Sequence, residues 1–535
     1  MTTGGLREFV ADTAGGEDSS LAAVRSELST GFTVRQEPGA AGSGTHRRTW
    51  LDTFDWRLYK AGLTLQFEQA RRGGRLVLSK ADGTPQAEQP VTRWPRRPGL
   101  AEDLPPGPVR DRILVLTSPR ALLPIVKAAS TVSVNRLLNA DGKTVARLVE
   151  DRVTVTAPAG NIAGGTTAEL PPRLAVAEVR GYPGQARRAA GLLAGTPGVS
   201  HASPSVFIAA LTALGRHPAD YTSGVDAEIT ASMPAPVAVA RLLLRLLDTV
   251  ELNVDGVLRD IDTEFLHDLR VAVRRTRSAI KLLGGVLPAD LAEHYKAEFK
   301  WLGDVTTPVR DLDVHLIGFD ALTEQLVAAS PDDLEPLRAF LARRRAREFR
   351  RLAAALRGPR FRAITDDWRK ALLEVRDVDG PRRRSLTAAA LALSATGRSF
   401  RRIAAHGAAI TSDSPPEALH DLRKRAKELR YLLEFFAPLH DQVAYRKVLS
   451  DLKQVQDCLG EFQDSEVQRH EIHALADAML AERAAPAATL LAMGEIAAKL
   501  ALSQAEARTA FSARFARFAG PAGRERVRVL LEGRR

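Results

Sequence analysis

The segment Leu266-His-Asp-Leu-Arg270 reappears as Leu419-His-Asp-Leu-Arg423, and His267 and His420 stand 153 residues apart (420 − 267). At that offset Arg274 meets Lys427, Arg277 meets Arg430, Asp311 meets Asp464, Asp313 meets Glu466 and Val314 meets Val467. No insertion is needed over roughly 50 residues, so the match is a duplication rather than chance. The residues it repeats are suited to holding anions. Arginine offers a planar fork to paired oxygens, lysine a compact point charge.

The elements that position them are helices. His267, Arg270, Arg274, Arg277 and Lys281 fall at i, i+3, i+7, i+10 and i+14, and His420, Arg423, Lys427 and Arg430 repeat the first four. Alternating steps of three and four place each set on one stripe of a helix. Leu269, Val273, Ile280 and Leu283 make an adjacent stripe fit to face a core. Like charges on one helix face repel by a few tenths of a kcal/mol per i,i+4 pair, and an anionic ligand would relieve that repulsion in both copies. A cationic stripe alone most often marks a solvated face; its duplication argues for a ligand. The two histidines stay open between ligand contact and a helix-start or buried hydrogen-bonding role.

The whole chain has 535 residues, long enough for about two or three domains. Hydrophobic residues at 45% and charged residues at 26% point to a folded rather than disordered chain. A net charge of +12 favours acidic partners such as nucleic acid, polyphosphate or an anionic membrane surface. Aromatics at 5% weigh against base stacking on ring platforms. The single cysteine, Cys458, excludes an internal disulfide framework and a multi-cysteine metal site. No uncharged run reaches the ~18 residues of a membrane span, and the first residues lack the apolar core of a signal peptide. A cytoplasmic protein is the expectation.

The chain changes character between Pro218 and Pro236. Before it, Arg75–Lys80, Ile113–Leu116, Ala146–Val149, Arg152–Thr156 and Leu174–Val179 read as strands, with turns at Asp82-Gly83, Asn139–Gly142 and Ala159-Gly160. Helices are expected around Pro119–Lys127 and Gln185–Leu193. This part is an α+β domain of antiparallel strands over residues 1–215, followed by a linker at 216–236. After it the pattern is helical, with Pro or Gly at expected ends such as Gly284-Gly285, Gly358-Pro359 and Gly380-Pro381. Residues 237–535 are read as an all-α domain of eight or more helices, in two similar bundles about a pseudo-twofold axis.

His267-x-x-Arg270-Val-x-x-Arg274-Arg275-x-Arg277, followed by Val309-Arg310-Asp311-Leu312-Asp313-Val314, resembles the first half of a CHAD domain, the conserved histidine α-helical domain. His420-x-x-Arg423-Lys424-x-x-Lys427-x-x-Arg430-Tyr431, followed by Leu459-Gly-x-x-x-Asp464, is similar to its second half. The resemblance implies two four-helix bundles with basic residues lining a central channel, and binding of inorganic polyphosphate without catalysis, metal or cofactor. Carried over by motif, the ligand set is His267, Arg270, Arg274, Arg277, His420, Arg423, Lys427 and Arg430, with Lys281, Arg275 and Lys424 at its margin. Arg310, Asp311 and Asp313 are read instead as an ion-pair network holding helices in register. Location at polyphosphate granules is the matching expectation. No membrane is expected as a partner, and nucleic acid is disfavoured.

Leu51-Asp-Thr-Phe-Asp-Trp-Arg-Leu-Tyr-Lys-Ala-Gly-Leu-Thr-Leu65 resembles the early motif of CYTH, or triphosphate tunnel, domains. That family implies an antiparallel barrel-like fold whose active members hold a divalent metal on a Glu-x-Glu-x-Lys strand. Here the motif is missing from the first 50 residues, and Leu65-Gln-Phe-Glu68 stands where arginines are expected. Lys80, Arg136, Asp151 and Glu178 could be remnants of a site. Losing the first carboxylate pair should weaken the grip on a hard cation severely, so a non-catalytic accessory domain is expected. The alternatives are a metal-dependent triphosphatase in the N-terminal domain, or a nucleic-acid binder using runs such as Arg343-Arg-Arg345 and Arg382-Arg-Arg384.

Overall fold

The strands of the first part join one antiparallel sheet. The computed structural model describes residues 8–12, 17–37, 44–70, 73–92, 98–158, 165–203, 205–377, 386–411 and 413–532; the turn at Ala159-Gly160, the stop at Gly380-Pro381 and the run Arg382-Arg-Arg384 lie outside these. The chain divides into two units, Met1–Thr222 and Ser223–Arg535, with the boundary inside the segment read as a linker.

In the first unit the strands are β1 (Glu8–Ala11), β2 (Thr33–Gln36), β3 (Gly44–Asp52), β4 (Leu63–Gln69), β5 (Gly74–Lys80), β6 (Pro85–Val91), β7 (Leu123–Leu138), β8 (Thr144–Thr156), β9 (Thr167–Glu169), β10 (Arg173–Glu178) and β11 (Val199–His201). They run in the order β11-β1-β10-β8-β7-β3-β4-β5-β6, with β2 added to β7 and β9 to β8. Helices α1 (Glu17–Ser29) and α4 (Pro183–Gly195) bury Leu21, Val24, Leu28, Ala189 and Leu193 against Leu148, Leu174 and Val176 of the sheet. Helices α2 (Arg57–Lys60) and α3 (Pro108–Thr117) cap another part of it through Leu58, Val109 and Ile113. A short α5 (Val206–Ala213) follows, with Ser205 accepting the amide of Ile208 at its start.

Two local expectations are corrected. Ile113–Leu116 is not a strand but the last turns of α3, whose Pro108 sits in the first helical turn, where a missing N–H costs nothing. Pro119–Lys127 is not helical: from Leu123 it enters β7, which pairs with β3 on one side and β8 on the other. A short apolar run carries no period that separates the two states, so cross-strand pairing decides. Ala146–Val149 and Arg152–Thr156 are parts of the single strand β8.

Eleven α-helices build the second unit among the described residues: α6 (Ala235–Leu258), α7 (Thr263–Leu283), α8 (Ala289–Ile317), α9 (Phe319–Thr323), α10 (Glu335–Arg357), α11 (Pro359–Asp377), α12 (Ala388–Ala408), α13 (Pro416–Phe435), α14 (Gln442–Ala481), α15 (Ala487–Ala519) and α16 (Pro521–Glu532). The first repeat packs α6, α7 and α8 with α10 and α11, and the second packs α12, α13 and α14 with α15 and α16. In the second, Leu419, Leu422, Ala426, Leu429 and Leu433 of α13 meet Val448, Leu452, Val455 and Leu459 of α14 and Phe511, Phe515 and Phe518 of α15. That apolar spacing of three and four turns the neighbouring stripe of α13, the cationic one, out of the core. Close helix crossings use glycine: a Cβ on Gly256 would stand 2.2 Å from the ring of Phe265, and one on Gly407 would stand 2.0 Å from that of Phe515. No helix among the described residues is long and apolar enough to cross a membrane.

Candidate anion-binding site

Helix α7 starts where Asp262 accepts the amides of Glu264 and Phe265, a cap that also places an acid at the positive end of the helix dipole. Leu269, Val273, Ile280 and Leu283 are all buried, as their spacing predicts. That fixes the rotation of α7 and sends the cationic stripe toward α8 and α13. The half-buried Arg270 donates from Nη1 to Thr306 Oγ1 (2.9 Å), Thr307 Oγ1 (2.8 Å) and the carbonyl of Gly303 (3.2 Å). Burial lowers its pKa; Asp311 pulls the other way, while Arg274, Arg310 and Arg277 add to the lowering. Arg277 lies over Gly303, where a Cβ would come within 3.0 Å of Nη1. Arg274 is exposed and donates from Nε to the hydroxyl of Tyr431 at 2.6 Å.

Helix α13 carries the second stripe. Nδ1 of His420 is 2.6 Å from Oε1 of Gln463 on α14, so the ring donates there when that nitrogen is protonated. Arg423 pairs with Asp464 at 3.0 Å and Arg430 with Glu434 at 3.1 Å. Lys427 lies between them. Burial first, then the repulsion of Arg423 and Arg274, pushes its pKa down to about 8, with Asp464 opposing and Arg430 adding to the shift. Asp464 is the repeat partner of Asp311, which stands near Arg270 in the first copy. The two repeats therefore share a plan, with neutral acceptors prominent in the first and carboxylates in the second.

The two stripes meet. Arg274 and Lys427 are the same position of the repeat, and each lies near enough for the field of Arg274 to reach Lys427. Two ion pairs join α7 to α13 beside them, Lys281–Glu428 at 2.5 Å and Arg275–Glu434 at 2.8 Å. Position 281 corresponds to 434 and position 275 to 428, so these pairs are related by the pseudo-twofold with their signs exchanged. His315 of α8 and Glu471 of α14, 2.7 Å apart, tie the repeats together elsewhere.

A cavity of about 920 Å³ opens beside the second stripe, where Arg423, Lys427, Arg430 and Arg514 face Asp457, Glu461, Asp464 and Glu506. The cations of α7 do not line it. Lys424 is exposed, pairs with Asp421 and stands apart from this cavity. Lys281 is 66% exposed and reaches sideways to Glu428. Arg275 is held between Glu434 and the carbonyl of Ser223. Asp313 is buried against Arg345, which also grips Asp260, and Arg310 reaches Thr263 and Glu264. Sequence reasoning missed Gln456 and Gln463, acceptors for Arg430 and His420, because neither repeats a like residue in the first copy.

In the first unit the remnant residues do not gather. Asp151 lies 3.7 Å from Arg48, and burial raises its pKa. Arg136 pairs in register with Arg35 and Arg147, while Lys80 and Glu178 end strands β5 and β10. One acid on β1 was missed: Glu8, which meets Arg173 at 3.2 Å. Among the described residues no three of His, Cys, Asp and Glu converge as metal ligands would. Glu8, Glu37, Glu150 and Asp151 each face an arginine, and Asp52 is taken up by the amides of Thr53, Leu58 and Tyr59, so these acids do not fit a divalent cation, which needs several oxygens on one point.

A pair of similar helical repeats that brings two cationic stripes together defines an all-α scaffold with a basic seam between its halves. The family model described as "CHAD domain" matches residues 241–473, and that stretch of the chain is a CHAD domain carrying both His267 and His420. Among solved structures, the CHAD domain from the plant Ricinus communis is similar at 26% identity, over 55% of this chain and 95% of that one, with a TM-score of 0.46. PptA from Streptomyces chartreusis is similar at 18% identity, over 53% of this chain and 96% of that one, with a TM-score of 0.40. No curated protein matches the chain.

Proposed function

We propose that the helical unit binds inorganic polyphosphate, with Arg270, Arg274, Arg277, Arg423, Lys427 and Arg430 as its principal contacts and His267 and His420 heading each stripe. The observation that carries this reading is the meeting of the two stripes, with Arg274 of α7 close to Lys427 of α13, whose amine burial first, then Arg423 and Arg274, press toward its neutral form. Asp464 and Glu434 offset only part of that repulsion, and a linear polyanion supplies further counter-charge without needing base edges to read. Residues 241–473 belonging to the CHAD family support the same reading. The N-terminal sheet domain is read as a CYTH-like accessory without catalysis, a reading supported by Glu8, Glu37 and Asp151 each facing an arginine. The protein then acts by holding polyphosphate in the cytoplasm, at granules where the polymer collects.

The test is titration of the full-length protein with long-chain polyphosphate and with DNA at matched charge concentration. Replacing Arg274 and Lys427 by Glu should abolish polyphosphate binding. Unchanged affinity in that variant would end the idea, and tighter binding of DNA than of polyphosphate would favour the nucleic-acid reading.

A further inference from the structure

At the end of the α7 stripe, one concavity adds cations from α12 and α13 that lie on neither stripe. Between α7, α12 and α13 lies a pocket of about 220 Å³ whose charged lining is Lys281, Arg398, Arg402, Arg425 and Glu428. Four cations face one acid, and Glu428 is already drawn to Lys281. Arg398 donates to the hydroxyl of Ser394, and Arg425 feels Asp421 at longer range. Among the described residues none of the three arginines is in a salt bridge. The pocket is too small for a drug-sized ligand but suits one or two phosphoryl groups, whose oxygens match guanidinium forks.

Two further observations give it direction. The repeat partners of Arg398, Arg402 and Arg425 are Arg245, Thr249 and Ala272, so the first copy has no such cluster and the duplication did not produce this one as a by-product. Lys281, the last cation of the α7 stripe, lines this pocket, so the stripe leads into it around the side of α13 opposite Lys427. The adjoining concavity of about 230 Å³ shares Leu282 and Arg398 with it and prolongs the groove toward Leu386.

We propose that the α7–α12–α13 pocket is a second site for condensed phosphate, taking phosphoryl groups beyond those held on the paired stripes. This rests on the polyphosphate reading above. It makes the protein a two-point binder that prefers long chains, because a tethered second contact adds to the first through effective concentration. The phosphate has two sources, an outlying segment of a chain already on the stripes or a free short oligophosphate.

The experiment compares four full-length proteins by calorimetric titration at several salt concentrations: the unaltered chain, R398E/R402E, R423E/K427E, and the charge-matched control R343E/R344E on α10. Arg398 and Arg402 are exposed, so their replacement leaves the cores intact. R398E/R402E should weaken long-chain polyphosphate at least about tenfold more than the control does, and reduce the salt slope by roughly two phosphate contacts. Tripolyphosphate is the second probe. Loss of its binding in R398E/R402E identifies the free short phosphate as the occupant; unchanged tripolyphosphate binding with weakened long-chain binding identifies the outlying segment. If R398E/R402E matches the control while R423E/K427E fails to bind, the second site is overturned and the function stands. If all three variants match, both fall.

Discussion

If the proposed function holds, the burial of Lys427 and its crowding by Arg423 and Arg274 should make polyphosphate affinity depend on pH above about 8. With the pKa of the free site at about 8, the amine is charged at pH 7 and largely neutral at pH 9.5. A bound phosphate chain stabilises the charged form and moves the pKa back toward the ~10.4 of free lysine, so binding above pH 8 must take up a proton. At pH 9.5 this costs a ceiling of about 2 kcal/mol, or about 30-fold in affinity; solvent screening of a half-buried group brings the expected loss to about tenfold. The assay is titration with long-chain polyphosphate from pH 7 to 9.5 at constant ionic strength. Lys427→Arg keeps its charge throughout and should flatten the profile. The sign for stability runs opposite to the ligand effect. A folded-state pKa below the unfolded one means the unfolded chain binds more protons between about pH 8 and 10.5, so the free protein gains stability as pH rises through that window. A flat affinity profile in the unaltered protein, or the same slope in Lys427→Arg, would refute the reasoning.

Asp464 competes with a ligand for Arg423, so Asp464→Asn should tighten polyphosphate binding by about threefold to tenfold in titration at low salt. Asp313→Asn should leave affinity unchanged and lower stability by about 1 kcal/mol in urea unfolding, because Arg345 loses one acceptor but keeps Asp260, and burial already disfavours the Asp313 carboxylate. Lys281→Glu should cost about 0.5–1 kcal/mol of stability by facing Glu428, and the double swap Lys281→Glu with Glu428→Lys should restore it; recovery is read by the unfolding midpoint.

The duplication was legible because it preserves residue type at a constant offset, and the helices around it because their apolar residues keep a period of three and four. The buried stripe Leu269, Val273, Ile280 and Leu283 is where that period places it. The errors fall where period gives no guidance. Ile113–Leu116 and Pro119–Lys127 are both short apolar stretches, and their states were settled by Pro108 and by pairing across β3, β7 and β8. The stripes themselves could be read from spacing, but their partners could not. Asp464 reaches Arg423 from another helix, Tyr431 reaches Arg274 across the repeat boundary, and Arg398 and Arg402 come beside Lys281 only through the packing of α12 on α7 and α13. One-dimensional spacing reports a face; it does not report what that face meets.

The sign exchange between Lys281–Glu428 and Arg275–Glu434 bears on why both repeats lie in one chain. Placed in the same α7–α13 geometry, two copies of the first repeat would set Lys281 against Arg275 twice, and two copies of the second would set Glu428 against Glu434 twice. Like charges across a contact are a penalty on the wrong partner, so the surface selects the first repeat with the second and disfavours either with itself. Attraction here also offsets a cost, because the same contact brings Arg274 beside Lys427. The exchanged pairs hold together two faces whose central cations repel.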